Sequence, residues 1–475
     1  MPKPLFLLAL IFLSLDGISQ QRWNLRTVVD YAMANNLGVK QAEVQAKIAD
    51  ANLTQSERSR WPLVNFSAGA SLNSGSNQDP TTFNRITQSY LASNMQLQSS
   101  VDIFNFYSRK NSILASEWES KASHANVEKL KNDIALTAAN AYLQVLLARE
   151  QQNITLLQVQ QTTAQLTNTR KQVEAGALPP LNATQLEAQL ALDSVNYYTA
   201  RGNYEQAVLL LKSYMNIDAA APFEVDAPPV ESIPLQPIAD LQPEYVYQLA
   251  LQNQPLQKVN TYRLKAAGYN ISAAKGSMYP TLSAFGSLGT AYNNQAMSIT
   301  GSSIVNVPVG NVTIGGNTYD VFPLQPYVLP QYAKTPYGTQ LTDNFRQSIG
   351  LSISVPILNG GSLRGNYERS KLNYNTLELQ QLQDDQNLKQ DIYQAYTSAI
   401  TALEKFNAAR KTVEVNEQAF GYATKRFDVG MLSTFDLITT QNNLLRARLE
   451  YVISRFEYVF RMKVLEFYKG QGLTL

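Results

Sequence analysis

The sequence contains no cysteine and only one histidine, His124. Without cysteine there are no disulfides, thiolate nucleophiles, iron–sulfur clusters, cysteine-ligated zinc sites or lipid-modified N-terminal cysteine. A single histidine cannot build a histidine-rich metal site, and the polar helical stretch around His124 predicts an exposed side chain. We therefore expect no metal and no cofactor.

An excess of charge of either sign is also missing. The chain has 39 basic and 37 acidic side chains, a formal net charge of +2. Such a balance creates no broad field that would attract nucleic acid, which we do not expect as a partner. Adjacent carboxylates such as Asp384 and Asp385 fall on a predicted helix, where successive side chains point in different directions and make a poor acid/base pair. We expect no enzymatic activity.

Long hydrophobic runs are scarce. The apolar run from Leu5 to Leu15 follows one lysine and precedes small or polar residues, which is typical of a cleaved secretory signal. We predict a signal peptide at residues 1–20, with a buried N-terminal helix as the alternative. Because no later segment approaches the roughly 20 apolar residues of a membrane helix, a membrane role would have to use β-strands.

The main positive feature is an internal duplication. Trp61-Pro62 recurs as Tyr279-Pro280, an offset of 279 − 61 = 218, whereas from Val101 onward the offset is 355 − 101 = 254 and pairs Gly176 with Gly430. The difference, 254 − 218 = 36 residues, indicates an insertion in the second copy, within the charge-poor stretch 293–343. We predict a first repeat at 21–214, a proline-rich linker at 215–242, a second repeat at 243–469 and a tail at 470–475.

Each repeat changes its hydrophobic period in the same order. Asn24 is a plausible N-cap of a helix that should run to the residue before Pro62. A period of two then predicts β-hairpins at about 63–104 and about 281–358, apolar on one face and rich in Ser, Asn and Gln on the other. This pattern fits membrane strands, and a half-buried soluble hairpin is the alternative.

A long segment with almost no glycine or proline follows each hairpin, at 110–175 and at 364–429. About 65 helical residues extend roughly 100 Å. Two apolar seams run along the first segment, one through Ala138, Ala141 and Val145 and the other through Ala139 and Leu143. Two seams allow packing on both sides, as a helical tube requires, whereas a solitary coiled coil needs only one.

Both long segments lead into a sharp reversal. Gly176 and Gly430 suit the left-handed end of a helix, and Pro180 and Ser433 suit the start of the next one. Because four strands per chain cannot close a sheet in lipid, several copies must share one barrel. The sequence thus predicts a homo-oligomer.

This order of elements resembles the TolC family of outer-membrane efflux proteins over nearly the whole mature chain. The resemblance rests on the two aromatic–proline junctions, on the run 355–361 at the strand-to-helix exit and on the run 429–437 at the second reversal. It implies a mainly α fold with transmembrane β, in which the duplicated helix-strand-strand-long helix-turn-helix unit forms a shared trimeric 12-stranded β-barrel plus a periplasmic α-helical barrel.

The resemblance also implies a function. The chain would be the exit duct of a tripartite efflux or type I secretion system, a homotrimer in contact with outer-membrane lipid, passively conducting substrate from an inner-membrane pump and a periplasmic adaptor. It would lie in the outer membrane of a Gram-negative bacterium, with the insertion outside the cell. A stand-alone diffusion porin is the alternative, although it leaves the long helices unexplained.

Two sets of site residues follow from the resemblance. The reversals would dock the adaptor, although mere helix capping is the alternative, through the residues Gly176, Leu178, Pro179, Gly430, Leu432 and Ser433. Asp436 would face the pore as a gate, with stabilisation of the helix N-terminus as the alternative. The first repeat has Asn182 at the matching position (436 − 254 = 182), so one charged ring is expected.

Overall fold

A computed structural model describes residues 22–78, 83, 85–226, 233 and 235–470. The predicted signal peptide and most of the tail lie outside these residues. The chain divides into a helical unit, the described part of Met1–Leu53, Ala115–Gly268 and Leu372–Leu475, and a sheet unit, Thr54–Leu114 with Tyr269–Lys371. Each unit therefore draws on both sequence repeats.

The first helical segment differs from the prediction. The two-residue strand β1 (Arg22–Trp23) pairs in parallel with β4 (Glu224–Val225), and Asn24 caps helix α1 by accepting a hydrogen bond from the Thr27 amide. The expectation of one helix up to Pro62 is wrong, because α1 (Leu25–Asn35) and α2 (Leu37–Arg58) are separate.

The break lies at Asn36, whose backbone is extended (φ −59°, ψ 132°). Its side-chain oxygen accepts from the Gly38 amide at 2.8 Å, and its Nδ2 donates to the Tyr214 carbonyl at 2.9 Å. These bonds replace the helical ones that the break removes.

The second repeat breaks at the same place. Helices α5 (Pro243–Asn253) and α6 (Pro255–Gly276) flank Gln254, which is extended (φ −69°, ψ 129°) and matches Asn36 at the offset of 218. Its Nε2 donates to the carbonyls of Phe467 and Tyr468 at 3.3 and 3.4 Å. Tyr468 matches Tyr214 at the offset of 254, so both repeats fasten the break to the end of their own return helix.

The sheet unit contains the predicted hairpins. Strands β2 (Leu63–Gln78), β3 (Arg85–Phe104), β5 (Thr281–Asn293) and β10 (Arg346–Ser354) form an antiparallel sheet in the order β10-β5-β3-β2. The register places Phe66 opposite Leu97 and Leu97 opposite Leu288, which aligns the apolar faces of neighbouring strands. Within the described residues β2 and β10 are the edges of this sheet.

The insertion has regular structure that its composition did not predict. It contains two hairpins, β6 (Met297–Val305) with β9 (Tyr327–Lys334) and β7 (Gly310–Ile314) with β8 (Asn317–Val321), followed by the short helix α7 (Tyr337–Asp343). The buried amide of Gln340 closes its base. Gln340 accepts from the Asn293 amide at 2.9 Å and donates to the carbonyls of Asn293 and Thr335 at 2.9 and 2.8 Å.

The long helices agree with the sequence. Helices α3 (Ser108–Glu174) and α8 (Ser362–Asp428) have 67 residues each, and the return helices α4 (Pro180–Met215) and α9 (Thr434–Lys469) have 36 each. Ala138, Ala141 and Val145 of the first seam lie in a hydrophobic core with Ala139 and Leu143 of the second. In the part of the chain that the structure describes, no helix has the length and apolarity needed to cross a membrane.

Candidate functional site: the helix reversals and the polar layer beside them

Both reversals use the left-handed glycine that the sequence predicts. Gly176 has φ +73° and Gly430 has φ +74°, and an added Cβ would meet no atom within 4 Å at either position. The requirement for glycine is therefore conformational rather than steric. The amide that follows each glycine donates back five residues, from Ala177 to Gln172 and from Met431 to Arg426 at 2.8 Å each, which closes the helix as in a Schellman motif.

The other residues predicted for docking differ in exposure. Pro179 and Ser433 are exposed, whereas Leu178 and Leu432 are half-buried. The large exposed apolar side chains at the second reversal are Val429, Met431 and Phe435, and at the first reversal Leu181 is exposed. Sequence reasoning missed these four, although each lies within five residues of a reversal glycine. The second reversal thus offers the larger apolar surface.

Ser433 and Asp436 form a closed cap at the start of α9. The Ser433 hydroxyl accepts from the Asp436 amide at 3.1 Å and donates to Asp436 Oδ2 at 2.7 Å. A carboxylate at this position also interacts favourably with the helix N-terminus. The first reversal lacks this arrangement, because Pro179 precedes Pro180 there and provides no side-chain cap. These contacts support the capping interpretation of Asp436, and a role as a pore gate stays a prediction.

A buried polar layer lies between α3, α4 and α9. Asp193, 1% exposed, accepts from the Thr162 hydroxyl at 2.6 Å and from Gln189 Nε2 at 2.8 Å. Gln441 of α9 donates to Thr162 at 3.0 Å, and Gln189 shares two bonds with Asn442 at 3.1 and 3.3 Å. Because buried polar groups need partners, we expect this layer to restrict how the three helices pack against one another.

The buried carboxylate at the centre of this layer has no counterpart in the second repeat. At the offset of 254, Asp193 corresponds to Ala447 and Thr162 to Asn416. The sequence analysis did not single out Asp193, although an acidic residue replaced by alanine in the duplicate was a detectable difference. The two return helices therefore pack with different chemistry.

Buried polar groups also attach the linker to the helical unit. Tyr142 donates through its hydroxyl to the Asp226 carbonyl at 2.5 Å, and burial raises the pKa of this phenol well above its ordinary value. Glu466 accepts from the Gln236 amide at 2.9 Å and pairs with Lys463 at 2.7 Å, with both side chains of this ion pair about 5% exposed. The linker is thus held at Asp226 and Gln236 by groups that are costly to leave unpaired.

Among the described residues, His124 and Asp50 form a pair at the surface of the helical unit. The side chain of His124, 59% exposed as the sequence predicts, pairs with Asp50 at 3.1 Å. Asp50 also accepts from the Ser120 hydroxyl at 2.6 Å, and this bond lowers the pKa of its carboxyl. Among the described residues, no group of three His, Cys, Asp or Glu side chains is placed to hold a metal ion.

The comparison with protein families matches both repeats. The family described as "Outer membrane efflux protein" matches residues 28–216 and 246–458. The chain belongs to the outer membrane efflux protein family. The gap between the matched segments coincides with the proline-rich linker.

Individual members of the outer membrane efflux protein family are distant in sequence. The chain is 22% identical to outer membrane efflux protein BepC of Brucella suis over 438 residues, which cover 90% of this chain and 81% of BepC. It is 22% identical to outer membrane protein TolC of Escherichia coli over 467 residues, which cover 95% of this chain and 83% of TolC. The solved structure of the Campylobacter jejuni CmeC outer membrane channel has a TM-score of 0.73 at 18% identity, covering 95% of this chain and 87% of CmeC.

Membership in the outer membrane efflux protein family has direct consequences. The chain is an outer-membrane efflux channel with the TolC-like, mainly helical fold, and its relatives are efflux proteins and channels rather than enzymes or stand-alone porins. The resemblance to the TolC family that the order of elements indicates is confirmed.

Proposed function

We propose that this chain is the homotrimeric exit duct of a tripartite efflux or type I secretion system, receiving substrate from an inner-membrane pump through a periplasmic adaptor. The observation that carries the proposal is the pair of matched repeats. Each repeat joins a strand hairpin to a 67-residue helix, which ends in a reversal at a left-handed glycine. A duct needs both parts, whereas a diffusion porin needs only the strands.

The two edge strands of the sheet support the proposed trimer. Edge strands β2 and β10 would leave rows of amide and carbonyl groups unpaired in lipid, at several kcal/mol per group. Pairing β10 of one copy with β2 of the next removes both edges. Three copies would give a closed sheet of twelve strands, the number that the family resemblance implies.

Mass measurement of the purified protein in mild detergent tests this proposal. We expect an assembly of three times the mature chain. A stable monomer that retains its full content of β-structure would refute the shared closed sheet, since its edges would then be tolerated without a partner.

Docking of the adaptor would occur at the reversals. Export assays of Leu432→Asp and Gly430→Trp test the role of the second reversal. We expect both variants to block export while the trimer forms normally. Loss of assembly together with export would favour a purely structural role in capping the helices. The matched pair Leu178→Asp and Gly176→Trp asks whether the first reversal, which exposes less apolar surface, contributes equally.

Asp436 would contribute one ring of three carboxylates to the pore. Crowded carboxylates in a narrow pore favour cations and repel one another. In planar-bilayer recordings Asp436→Ala should reduce both the preference for cations and the block by divalent cations. Unchanged selectivity combined with lowered thermal stability would leave only the cap with Ser433. Ser433→Ala is the matched control, because it breaks the same cap and keeps the carboxylate.

A further inference from the structure

Charge on the polar face of the four-stranded sheet is confined to two described side chains. This face carries residues such as Gln96, Gln98 and Ser100, which alternate with apolar residues along β3. Asp102 is neutralised near one end of the sheet, because Arg109 pairs with it at 2.6 Å and Ser283 donates to it at 2.8 Å.

Arg346 lies on the same face at the opposite end of the sheet. The side chain is exposed and forms no ion pair with any described residue. A guanidinium cannot lose its charge under ordinary conditions. Arg346 is thus the one uncompensated charge on the described polar face.

A gap in the side chains lies directly beside Arg346. In the register of the sheet, Arg346 of β10 and Gln96 of β3 both pair with Gly289 of β5. Neighbouring strands lie about 4.8 Å apart, so the backbones of Arg346 and Gln96 are separated by about 10 Å with only a glycine between them. The space is large enough for a planar anionic group such as a carboxylate.

The surroundings of this gap supply hydrogen-bond donors and no acidic side chain. A cavity of about 580 Å³ lies here, and its lining includes the polar residues Asn94, Gln96, Ser287, Asn344, Arg346 and Ser348 beside apolar residues such as Met95 and Ala291. Asn344 is held in place, because its Nδ2 donates to the Ala291 carbonyl at 2.7 Å. The amides and hydroxyls of these residues complement the guanidinium.

We propose that this glycine-floored cavity binds the carboxylate or phosphate group of small anionic molecules. The guanidinium of Arg346 forms two parallel hydrogen bonds with such a group, the arrangement that makes arginine selective for planar anions. Its role in the channel rests on the proposed trimer, in which three such sites line the interior and bind anionic substrates during exit. Binding itself requires only the sheet unit of one chain.

Isothermal titration of the full-length protein with citrate, in a neutral detergent free of lipid, tests the site. We expect saturable binding to the wild type, with Arg346→Gln weakening the affinity by about tenfold or more because a charge-assisted bidentate contact is lost. Gly289→Val should weaken binding similarly by filling the floor. Its Cβ would meet only the Met95 carbonyl oxygen at 3.5 Å and Gln96 Cγ at 3.9 Å, so the sheet accommodates it.

Arg85→Gln is the matched control, because Arg85 occupies β3 at a position that alternates with the polar face. It should bind citrate as the wild type does. Absence of saturable binding to the wild type, equal affinity in Arg346→Gln and Gly289→Val, or an equal loss in Arg85→Gln would each overturn the proposal. Mass measurement on the same samples tests the trimer separately from the binding site. A monomer that still binds citrate would contradict only the proposed trimer.

Discussion

Replacement of Asp193 provides a quantitative test of the buried polar layer. Asp193→Ala removes a carboxylate that accepts hydrogen bonds from Thr162 and Gln189 and is 1% exposed. A hydrogen bond to a charged group contributes about 1.5–3 kcal/mol, and a buried donor left without a partner is costly. Two such bonds, offset partly by the better helix propensity of alanine, lead us to expect a loss of about 3–5 kcal/mol in the free energy of unfolding.

The duplication provides an internal control for this substitution. Alanine already occupies the matching position of the second repeat, at Ala447, where it is 5% exposed. An alanine therefore suits this site on a return helix, and the loss at Asp193 reports the missing hydrogen bonds. Asp193→Asn retains one acceptor oxygen and should cost about half as much.

Chemical denaturation in mild detergent, followed by far-UV circular dichroism, measures the change. A double-mutant cycle with Thr162→Val should give a coupling energy of about 1 kcal/mol or more, because the two side chains share one hydrogen bond. Stability of Asp193→Ala within about 0.5 kcal/mol of the wild type, or additive effects in the cycle, would refute the layer as a determinant of helix packing.

Four further substitutions test the fold. Asn36→Leu should lower the free energy of unfolding by about 1–2 kcal/mol, since it removes a local cap and a distant hydrogen bond. Gln254→Leu should have a similar effect, and thermal unfolding measures both variants. No effect in either variant would contradict the anchoring of the helix breaks. Gly276→Ala places a Cβ 2.8 Å from the Phe106 carbonyl oxygen, so we expect the free energy of unfolding to fall by about 1–3 kcal/mol. An unchanged midpoint of unfolding would disprove this. Asp50 has a pKa below its ordinary 3.8, chiefly through a serine hydroxyl. The contribution of Asp50 to stability is thus present above pH 3.8 and is lost as the pH falls through the folded pKa. Asp50→Asn should therefore make the free energy of unfolding less dependent on pH in this acidic range.

Elements governed by local patterns were predictable from the sequence. The long helix predicted at 110–175 is observed at Ser108–Glu174, and the one predicted at 364–429 is observed at Ser362–Asp428. Helical periodicity, the scarcity of glycine and proline, and the glycine that follows the last turn of each long helix determine such bounds over a few residues of chain. The two offsets of the duplication, 218 and 254, then supplied a second instance of each repeated element.

Features that depend on distant partners were not predictable. Asn36 breaks a helix-forming stretch through a bond to Tyr214, 178 residues away, and Gln254 does so through carbonyls more than 200 residues away. The two hairpins of the insertion lie in a stretch of mixed Gly, Pro and Tyr without a clear period, and Gln340 resembles any exposed amide until its three bonds are seen.

The sequence by itself determined the duplicated order of elements, the long helices and the glycine reversals, because each depends on the conformational preferences of neighbouring residues. The class of protein followed from the resemblance of that order to a known family. Only the tertiary structure decided which polar residues are buried and which are free. Asp193 and Arg346 look equally polar in the sequence, yet one is enclosed among three helices and the other stands uncompensated beside a glycine. The physical reason is that burial, desolvation and pairing depend on groups that the fold brings together from distant parts of the chain.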